Sequence, residues 1–224
     1  MNLIFGILLT AVASASAQGT FQNLDFEEAN PVSTGNPPFV TAASALPGWT
    51  IFCGTTQQTE VALNAESTGQ AVANIFGPGS SVPAIDGNYS AGLQGGGNPQ
   101  TGGSVTTSLE QTGGFPVGDQ SLLFKAWGQI GGLSVDVNGT SLPLFTLAAT
   151  GNYTLFGVDV SAYAGQTATL ALVDAPNPPA VGLVELDDIT FSTSSVPEPS
   201  SAVLGALGGL MFAAYRRLKK RPQT

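Results

Sequence analysis

Glycine and proline recur so often along this chain that its central part can form only short regular elements. The 224 residues include 29 Gly and 15 Pro, which separate short apolar or β-branched runs. Both residue types are unfavourable inside helices and strands and are common in turns. No run longer than about ten residues shows helical periodicity before the C-terminus. The pattern predicts an all-β chain.

About a dozen runs have the length and composition of strands. They are residues 20–26, 49–53, 59–63, 71–76, 89–94, 104–111, 121–127, 133–137, 141–147, 153–160, 167–173 and 184–191. Asn138 and Gly139, between two of these runs, can both adopt positive φ, which favours a type I′ hairpin. Because a half-buried sheet needs a second sheet to cover it, the spacing predicts a two-sheet antiparallel sandwich in one domain, residues 18–193.

The composition excludes several classes of active site. The chain has no histidine and one cysteine, Cys53. A Ser-His-Asp triad, a Cys-His pair and a zinc site built from His and Cys are therefore ruled out. Cys53 has no partner for an intramolecular disulfide, and we expect it to be a small buried apolar residue.

The N-terminus resembles an export signal. An apolar run at residues 3–13 precedes Ala15, Ser16 and Ala17, which place small side chains where signal peptidase requires them. We expect residues 1–17 to be a signal peptide, with signal peptidase as a partner of the precursor.

Charge is distributed unevenly. Residues 18–195 contain 14 acidic residues and one base, Lys125, which gives a net charge of −13. Nucleic acid phosphates would be repelled by this surface, so we expect no nucleic acid partner. Divalent cations and neutral polymers are better suited to it.

The C-terminal segment, residues 194–224, combines three features. Pro197, Glu198 and Pro199 precede an apolar stretch at residues 200–215, and basic residues beginning with Arg216 and Arg217 follow it. As a helix the stretch would be about 24 Å long, slightly short of a bilayer span. The basic residues would hold its end on the cytoplasmic side. We therefore expect one short C-terminal transmembrane helix.

This order of features resembles the PEP-CTERM sorting signal of Gram-negative bacteria. The resemblance implies an exported protein that is held transiently in the inner membrane and processed by an exosortase-type membrane protease. It also implies a destination at the cell surface or in the extracellular matrix, in a host that makes exopolysaccharide.

Four stretches of the central domain resemble exported galactose-binding-like jelly rolls, which include many carbohydrate-binding modules. They are NLDFEEAN at 23–30, LPGWTI at 46–51, VDVSAYAGQTATLALV at 158–173 and VELDDITF at 184–191. The resemblance implies a jelly-roll sandwich, often with a structural Ca²⁺ where the first and last strands meet. The corresponding residues are Glu27 and Asp187, with Asp25 and Asp188 beside them. Strand alternation places Asp187 on the inward face with Ile189 and Phe191. The alternative is a solvated acidic sheet end without metal.

Aromatic side chains are the candidates for sugar binding, because they stack on the apolar faces of sugar rings. The candidates are Trp127, Tyr89, Tyr153 and Tyr163. Trp49 lies in an apolar run and is expected in the core.

The sequence therefore favours a non-catalytic surface or matrix protein that interacts with carbohydrate or exopolysaccharide. One alternative is a structural surface protein without a sugar site. Another is a glycoside hydrolase, which needs two suitably spaced carboxylates. Glu60, Glu66, Glu110 and Glu185 could supply them, although no motif singles out a pair.

Overall fold

The computed structural model describes residues 19–65, 69–98, 101–177 and 182–196. The predicted signal peptide, the Pro-Glu-Pro motif with its apolar and basic residues, and Glu66 lie outside these ranges. None of the helices within these ranges has the length and hydropathy of a membrane span. The strands are β1 (Phe39–Thr41), β2 (Thr50–Cys53), β3 (Thr56–Gln58), β4 (Glu60–Leu63), β5 (Val72–Phe76), β6 (Ser90–Gln94), β7 (Gly96–Gly97), β8 (Ser104–Val105), β9 (Thr107–Gly114), β10 (Ser121–Gly128), β11 (Leu133–Val137), β12 (Thr140–Leu142), β13 (Phe145–Ala149), β14 (Thr154–Asp159), β15 (Thr167–Asp174) and β16 (Val184–Ser192).

Three short helices connect strands. They are α1 (Ala42–Ala45) and two 3₁₀ turns, Ile130–Gly132 and Ser161–Tyr163. The all-β prediction is confirmed for the described part of the chain.

The described strands form two large sheets and a two-stranded ribbon. One sheet has the order β1-β4-β5-β6-β16-β10-β14-β13, the other has the order β12-β11-β15-β9-β2-β3, and β7 pairs with β8. Pairing is antiparallel apart from β4 with β5, which run parallel.

The two large sheets enclose a single apolar core. Ile75, Phe124 and Leu186 from the eight-stranded sheet belong to the same buried cluster as Leu109 and Leu170 from the six-stranded sheet. Apolar side chains that alternate along each strand are thereby removed from water on one face, which is the main driving force for this arrangement. The predicted antiparallel sandwich is present, and Trp49 and Cys53 are buried as expected.

The hairpin prediction is confirmed. Asn138 and Gly139 have φ of 50° and 75°, and they join β11 to β12 with Val137 opposite Thr140. The prediction of a strand at residues 20–26 is wrong. Asn23 and Phe26 have φ of 49° and 58°, and these left-handed residues break the extended conformation. The segment nevertheless lies beside the last strand, because the amide of Ile189 donates to the carbonyl of Leu24 at 3.0 Å.

A β-bulge in β16 changes the predicted orientation of Asp187. The register of β16 with β10 shifts between the pairs Leu123–Thr190 and Lys125–Asp187, and Asp188 has φ of 50°. The stretch of β16 from Asp187 to Thr190 therefore contains one residue more than the stretch of β10 from Leu123 to Lys125 that it pairs with. Asp187 is buried as expected, but it lies on the face opposite the core residue Leu186, and it does not share a face with Ile189.

Candidate functional site

Trp127 is presented to solvent by the regular alternation of β10. Phe124 and Ala126 point into the core, so Lys125 and Trp127 lie on the outer face of the eight-stranded sheet. The Trp127 side chain is 45% exposed. An exposed aromatic side chain becomes a candidate ligand contact where it also lines a pocket.

Two pockets meet at Trp127. The first, of about 400 Å³, is lined by Val82, Pro83, Ala84, Ile85, Trp127, Gly151, Asn152 and Glu185. The second, of about 380 Å³, is lined by Ala126, Trp127, Gly128, Gln129, Ile130, Thr150, Gly151, Tyr153 and Thr154. We call the two pockets together the Trp127 cleft. The loop at residues 77–89, between β5 and β6, forms one wall of the first pocket.

A row of residues crosses the sheet beneath this wall. Asn74 is opposite Gly92, Gly92 is opposite Glu185, and Glu185 is opposite Trp127. Residues opposite one another in paired strands share a face of the sheet. Asn74 and Glu185 therefore lie on the same outer face as the exposed indole of Trp127. Asn74 is fully buried, and neither of its side-chain amide atoms has a hydrogen-bond partner.

Glu185 combines burial with an unused acceptor. Its side chain is 1% exposed, it lines the first pocket, and its Oε1 has no hydrogen-bond partner. Burial raises the pKa of Glu185 to about 7; the Ser90 hydroxyl opposes this rise and the charge of Asp187 adds to it. Glu185 can therefore change its charge near neutral pH, at the base of a pocket.

Asp187 holds the 77–89 loop from below. Its Oδ2 accepts hydrogen bonds from the amide of Asp86 at 3.0 Å and from the hydroxyl of Ser90 at 2.8 Å. The Ser90 hydroxyl in turn accepts from the amide of Ile85 at 2.8 Å. Burial raises the pKa of Asp187 to about 6, although these donors act in the opposite direction.

Glu27 holds the same loop from the first segment of the domain. Its Oε1 accepts from the amides of Asn88 at 2.7 Å and Tyr89 at 2.8 Å, and its Oε2 accepts from the Asn88 side chain at 3.0 Å. Burial raises the pKa of Glu27, but the donors from Tyr89 and Asn88 outweigh it and the net shift is downward. Carboxylates from both ends of the domain thus fix the wall of the Trp127 cleft.

Lys125 connects this network to the cleft. Its ammonium forms salt bridges with Asp86 and, at 3.0 Å, with Asp188, and it lies 5.2 Å from the centroid of the Tyr153 ring. The hydrogen bond to Asp86 is the main cause of a raised Lys125 pKa, so the ammonium stays charged. Lys125 therefore neutralises acids of the loop and the bulge, and it also supports Tyr153.

The structure brings together two of the four predicted sugar-binding residues. Trp127 and Tyr153 line the same pocket. Tyr89 packs against the core and the Tyr163 ring lies 5.8 Å from that of Phe115, so both are partly buried elsewhere. Sequence reasoning missed the cleft role of Glu185 and Asn152. For Glu185, the available signal was a glutamate within the apolar run of β16. For Asn152 the sequence offered no signal, because its place in the cleft depends on the conformation of a loop.

The predicted calcium ligands are only partly assembled. Glu27 and Asp187 contact the same loop, but the acidic and cysteine side chains of the described residues form no group of three or more that could hold a metal ion. Two carboxylates are fewer than calcium requires, since it takes six to eight oxygen ligands. Backbone and water oxygens would have to complete the set.

Of the acids named for hydrolysis, the three within the described residues are not brought together as a pair. Glu60 is in β4, Glu110 is in β9 of the six-stranded sheet, and Glu185 is in β16. The acid whose charge acts on Glu185 is Asp187 instead.

No family model and no curated protein matches this chain. Several solved structures show a distant likeness. The carbohydrate-binding module TmCBM61, in complex with β-1,4-galactotriose, is 12% identical, with 79% of this chain and 99% of that chain covered and a TM-score of 0.40. A cyclase from Fischerella sp. TAU, in complex with 4-(1H-indol-3-yl)butan-2-one, is 15% identical, with 82% and 100% covered and a TM-score of 0.47. The K2 cleaved adhesin domain of Lys-gingipain is 14% identical, with 80% and 98% covered and a TM-score of 0.39. Likeness at this level assigns neither a family nor an activity.

Proposed function

We propose that this chain is an exported, non-catalytic jelly-roll protein that binds carbohydrate or exopolysaccharide in the Trp127 cleft. The observation that carries the proposal is the exposed indole of Trp127 directly opposite the buried carboxylate of Glu185 in paired strands. An indole stacks on the C–H face of a sugar ring, and a carboxylate accepts hydrogen bonds from its hydroxyls.

The other lining residues support the same use. Tyr153 adds a second aromatic side chain, and Asn152 and Gln129 add amides that can donate and accept. Both pockets fall in the range of about 300–1,000 Å³ that is typical of small-molecule sites. Because the pockets share Trp127, a sugar chain could pass across the indole from one pocket to the other.

A glycan array tests the proposal. The purified protein should bind one group of glycans, with the host's own exopolysaccharide included among the samples. Failure to bind any of them would favour the structural surface protein without a sugar site. Release of reducing sugar from a bound glycan would instead favour the hydrolase.

We also propose that the chain is sorted by its two terminal segments. The support is the sequence alone: the apolar run and Ala15-Ser16-Ala17 at one end, and Pro197-Glu198-Pro199 before an apolar and basic tail at the other. Mass spectrometry of the protein recovered from a Gram-negative exosortase-positive host should find Gln18 as the first residue and the tail removed. A mature protein that retains both segments would contradict this sorting route.

We also propose that a structural calcium ion binds at the end of the sandwich where Glu27 and Asp187 lie. Its support is that these two carboxylates, far apart in sequence, contact one loop. A cation bound there would join the two ends of the domain and would act on stability, with no role in catalysis.

A further inference from the structure

We propose that the Trp127 cleft selects sugars that carry a free amino group, with the ammonium held between the Glu185 carboxylate and the Trp127 indole. This inference rests on the proposed carbohydrate function and names the ligand class of that same site. It concerns 2-amino-2-deoxy sugars and not their N-acetylated forms, which have no positive charge.

Glu185 is a buried carboxylate with an unsatisfied acceptor. Its side chain is 1% exposed and lines the first pocket, and its Oε1 is a buried acceptor without a hydrogen-bond partner. A buried acceptor without a donor is costly, and a ligand that supplies the donor recovers that free energy. Donors that carry a charge make the stronger hydrogen bonds to a carboxylate.

The described part of the chain supplies no cation to Glu185. The single base of residues 18–195 is Lys125, and its ammonium is bound to Asp86 and Asp188. The charge that acts on Glu185 is that of another acid, Asp187. A neutral hydroxyl could fill the hydrogen bond but would leave the ionised form of Glu185 without a counter-charge, whereas an ammonium would supply both.

The neighbour of Glu185 across the strand pair is an aromatic side chain. Trp127 lies directly opposite and exposes its indole to the pocket that Glu185 lines. The face of an indole attracts a cation through its quadrupole, and tryptophan does so more strongly than the other aromatic residues. A carboxylate beside an indole is therefore complementary to an amino sugar, which offers an ammonium and an apolar ring face together.

The charge of the whole domain acts in the same direction. Residues 18–195 carry 14 acidic residues and one base, a net charge of −13. A field of this sign raises the local concentration of cationic polymers and accelerates their association, but it gives no advantage to an acetylated polymer. This long-range effect concerns rate, and the cleft determines which group is bound.

The test compares two probes that differ only in acetylation. They are an oligomer of β-1,4-linked glucosamine and its fully N-acetylated counterpart, titrated near pH 7 at moderate salt. We expect the native protein to bind the amino form about tenfold to a hundredfold more tightly. Glu185→Gln, which keeps the shape and removes the charge, should reduce this preference to near unity. Glu60→Gln removes an exposed charge on β4 and should leave the preference intact.

The outcomes separate this inference from the proposed function. Equal binding of both probes, lost in Trp127→Ala, would overturn the amino-sugar preference and leave carbohydrate binding in place. A preference that persists in Glu185→Gln would also overturn it, because the general acidity of the surface would then be the cause. Binding of neither probe, nor of any neutral glycan, would overturn both proposals. Thermal unfolding of Glu185→Gln checks that its fold is intact, and we expect a midpoint no lower than that of the native protein.

Discussion

Lys125 and Asp187 are directly opposite each other in the β10–β16 register, yet they do not form a salt bridge. The ammonium of Lys125 reaches Asp188 in the bulge and Asp86 in the 77–89 loop, and the carboxylate of Asp187 is left to accept from Asp86 and Ser90. The bulge at Asp188 therefore divides the acids into an exposed pair that is neutralised by Lys125 and buried ones that are not.

The buried acids predict a stability that decreases as pH rises. Burial raises the pKa of Glu185 to about 7 and those of Asp187 and Asp174 to about 6, from ordinary values of 4.5, 3.8 and 3.8. Between these limits the native state binds more protons than the unfolded state, so the free energy of unfolding falls as pH rises from about 4 to about 7. Glu27, whose pKa is lowered, acts the other way, and its contribution is lost only in more acidic solution.

Denaturant titrations across this range check the prediction with Glu185→Gln. The variant should be more stable than the native protein by about 1–3 kcal/mol at pH 8, and its stability should depend less steeply on pH. Glu60→Gln, at an exposed position, should follow the native curve. An identical pH dependence in the native protein and Glu185→Gln would show that Glu185 is ionised in the native state throughout.

Gly87→Ala tests the contact between Glu27 and the loop. Gly87 has φ of 57°, and a Cβ added there would overlap the Glu27 carboxylate. Gly79, in the same loop, has φ of 88° with nothing within 4 Å of an added Cβ. Gly79→Ala therefore reports the backbone cost alone, about 1 kcal/mol.

We expect Gly87→Ala to destabilise by about 1 kcal/mol more than Gly79→Ala, because it also displaces the carboxylate that accepts from the exposed amide of Asn88 and the half-buried amide of Tyr89. Hydrogen exchange should show faster exchange at Asn88 and Tyr89 in the Gly87 variant alone. Equal destabilisation by the two substitutions would mean that Glu27 moves away at no cost.

We expect bound calcium to raise the thermal stability of the domain. If the cation joins Glu27 to Asp187, adding calcium to chelator-treated protein should raise the unfolding midpoint by a few degrees. Glu27→Gln should abolish the response, and the exposed neighbour Glu28→Gln should retain it. Metal analysis should first establish that the untreated protein contains calcium. An unfolding midpoint that is then the same before and after chelation would contradict the proposed site.

We expect Trp127→Ala to weaken glycan binding and to leave the fold intact. Truncating the exposed indole should weaken glycan binding at least about tenfold, because aromatic side chains dominate such sites. The unfolding free energy should change by less than about 1 kcal/mol, since the side chain is 45% exposed. Val117→Ala, at an 89% exposed apolar position elsewhere, is the matched control and should bind as the native protein does.

The sequence predicted most of the strands, because their burial is a local pattern. The apolar run at residues 121–127 and the turn residues Asn138 and Gly139 correspond to β10 and to the β11–β12 hairpin. Residues 20–26 have a similar pattern, but they do not form a strand because Asn23 and Phe26 adopt left-handed conformations. Strand propensity does not reveal these conformations, since it depends on tertiary context.

The candidate site was less predictable, because it depends on contacts between distant segments. Trp127 and Tyr153 were identified by residue type, but their shared pocket arises from the pairing of β10 with β14. The wrong face for Asp187 came from one extra residue at Asp188, which no alternation rule reveals. The burial of Glu185 depends on where the 77–89 loop lies, and only the three-dimensional structure places that loop.

The chain has two tryptophans, and the structure places them in opposite surroundings. Trp49 is 6% exposed, with its Nε1 donating to the Asn23 carbonyl at 2.9 Å, whereas Trp127 is 45% exposed in the cleft. The emission of Trp49 should therefore be shifted to the blue and protected from a soluble quencher, and that of Trp127 should be shifted to the red and quenched readily. Folding and ligand occupancy can thus be followed in one unlabelled sample by two separable fluorescence signals.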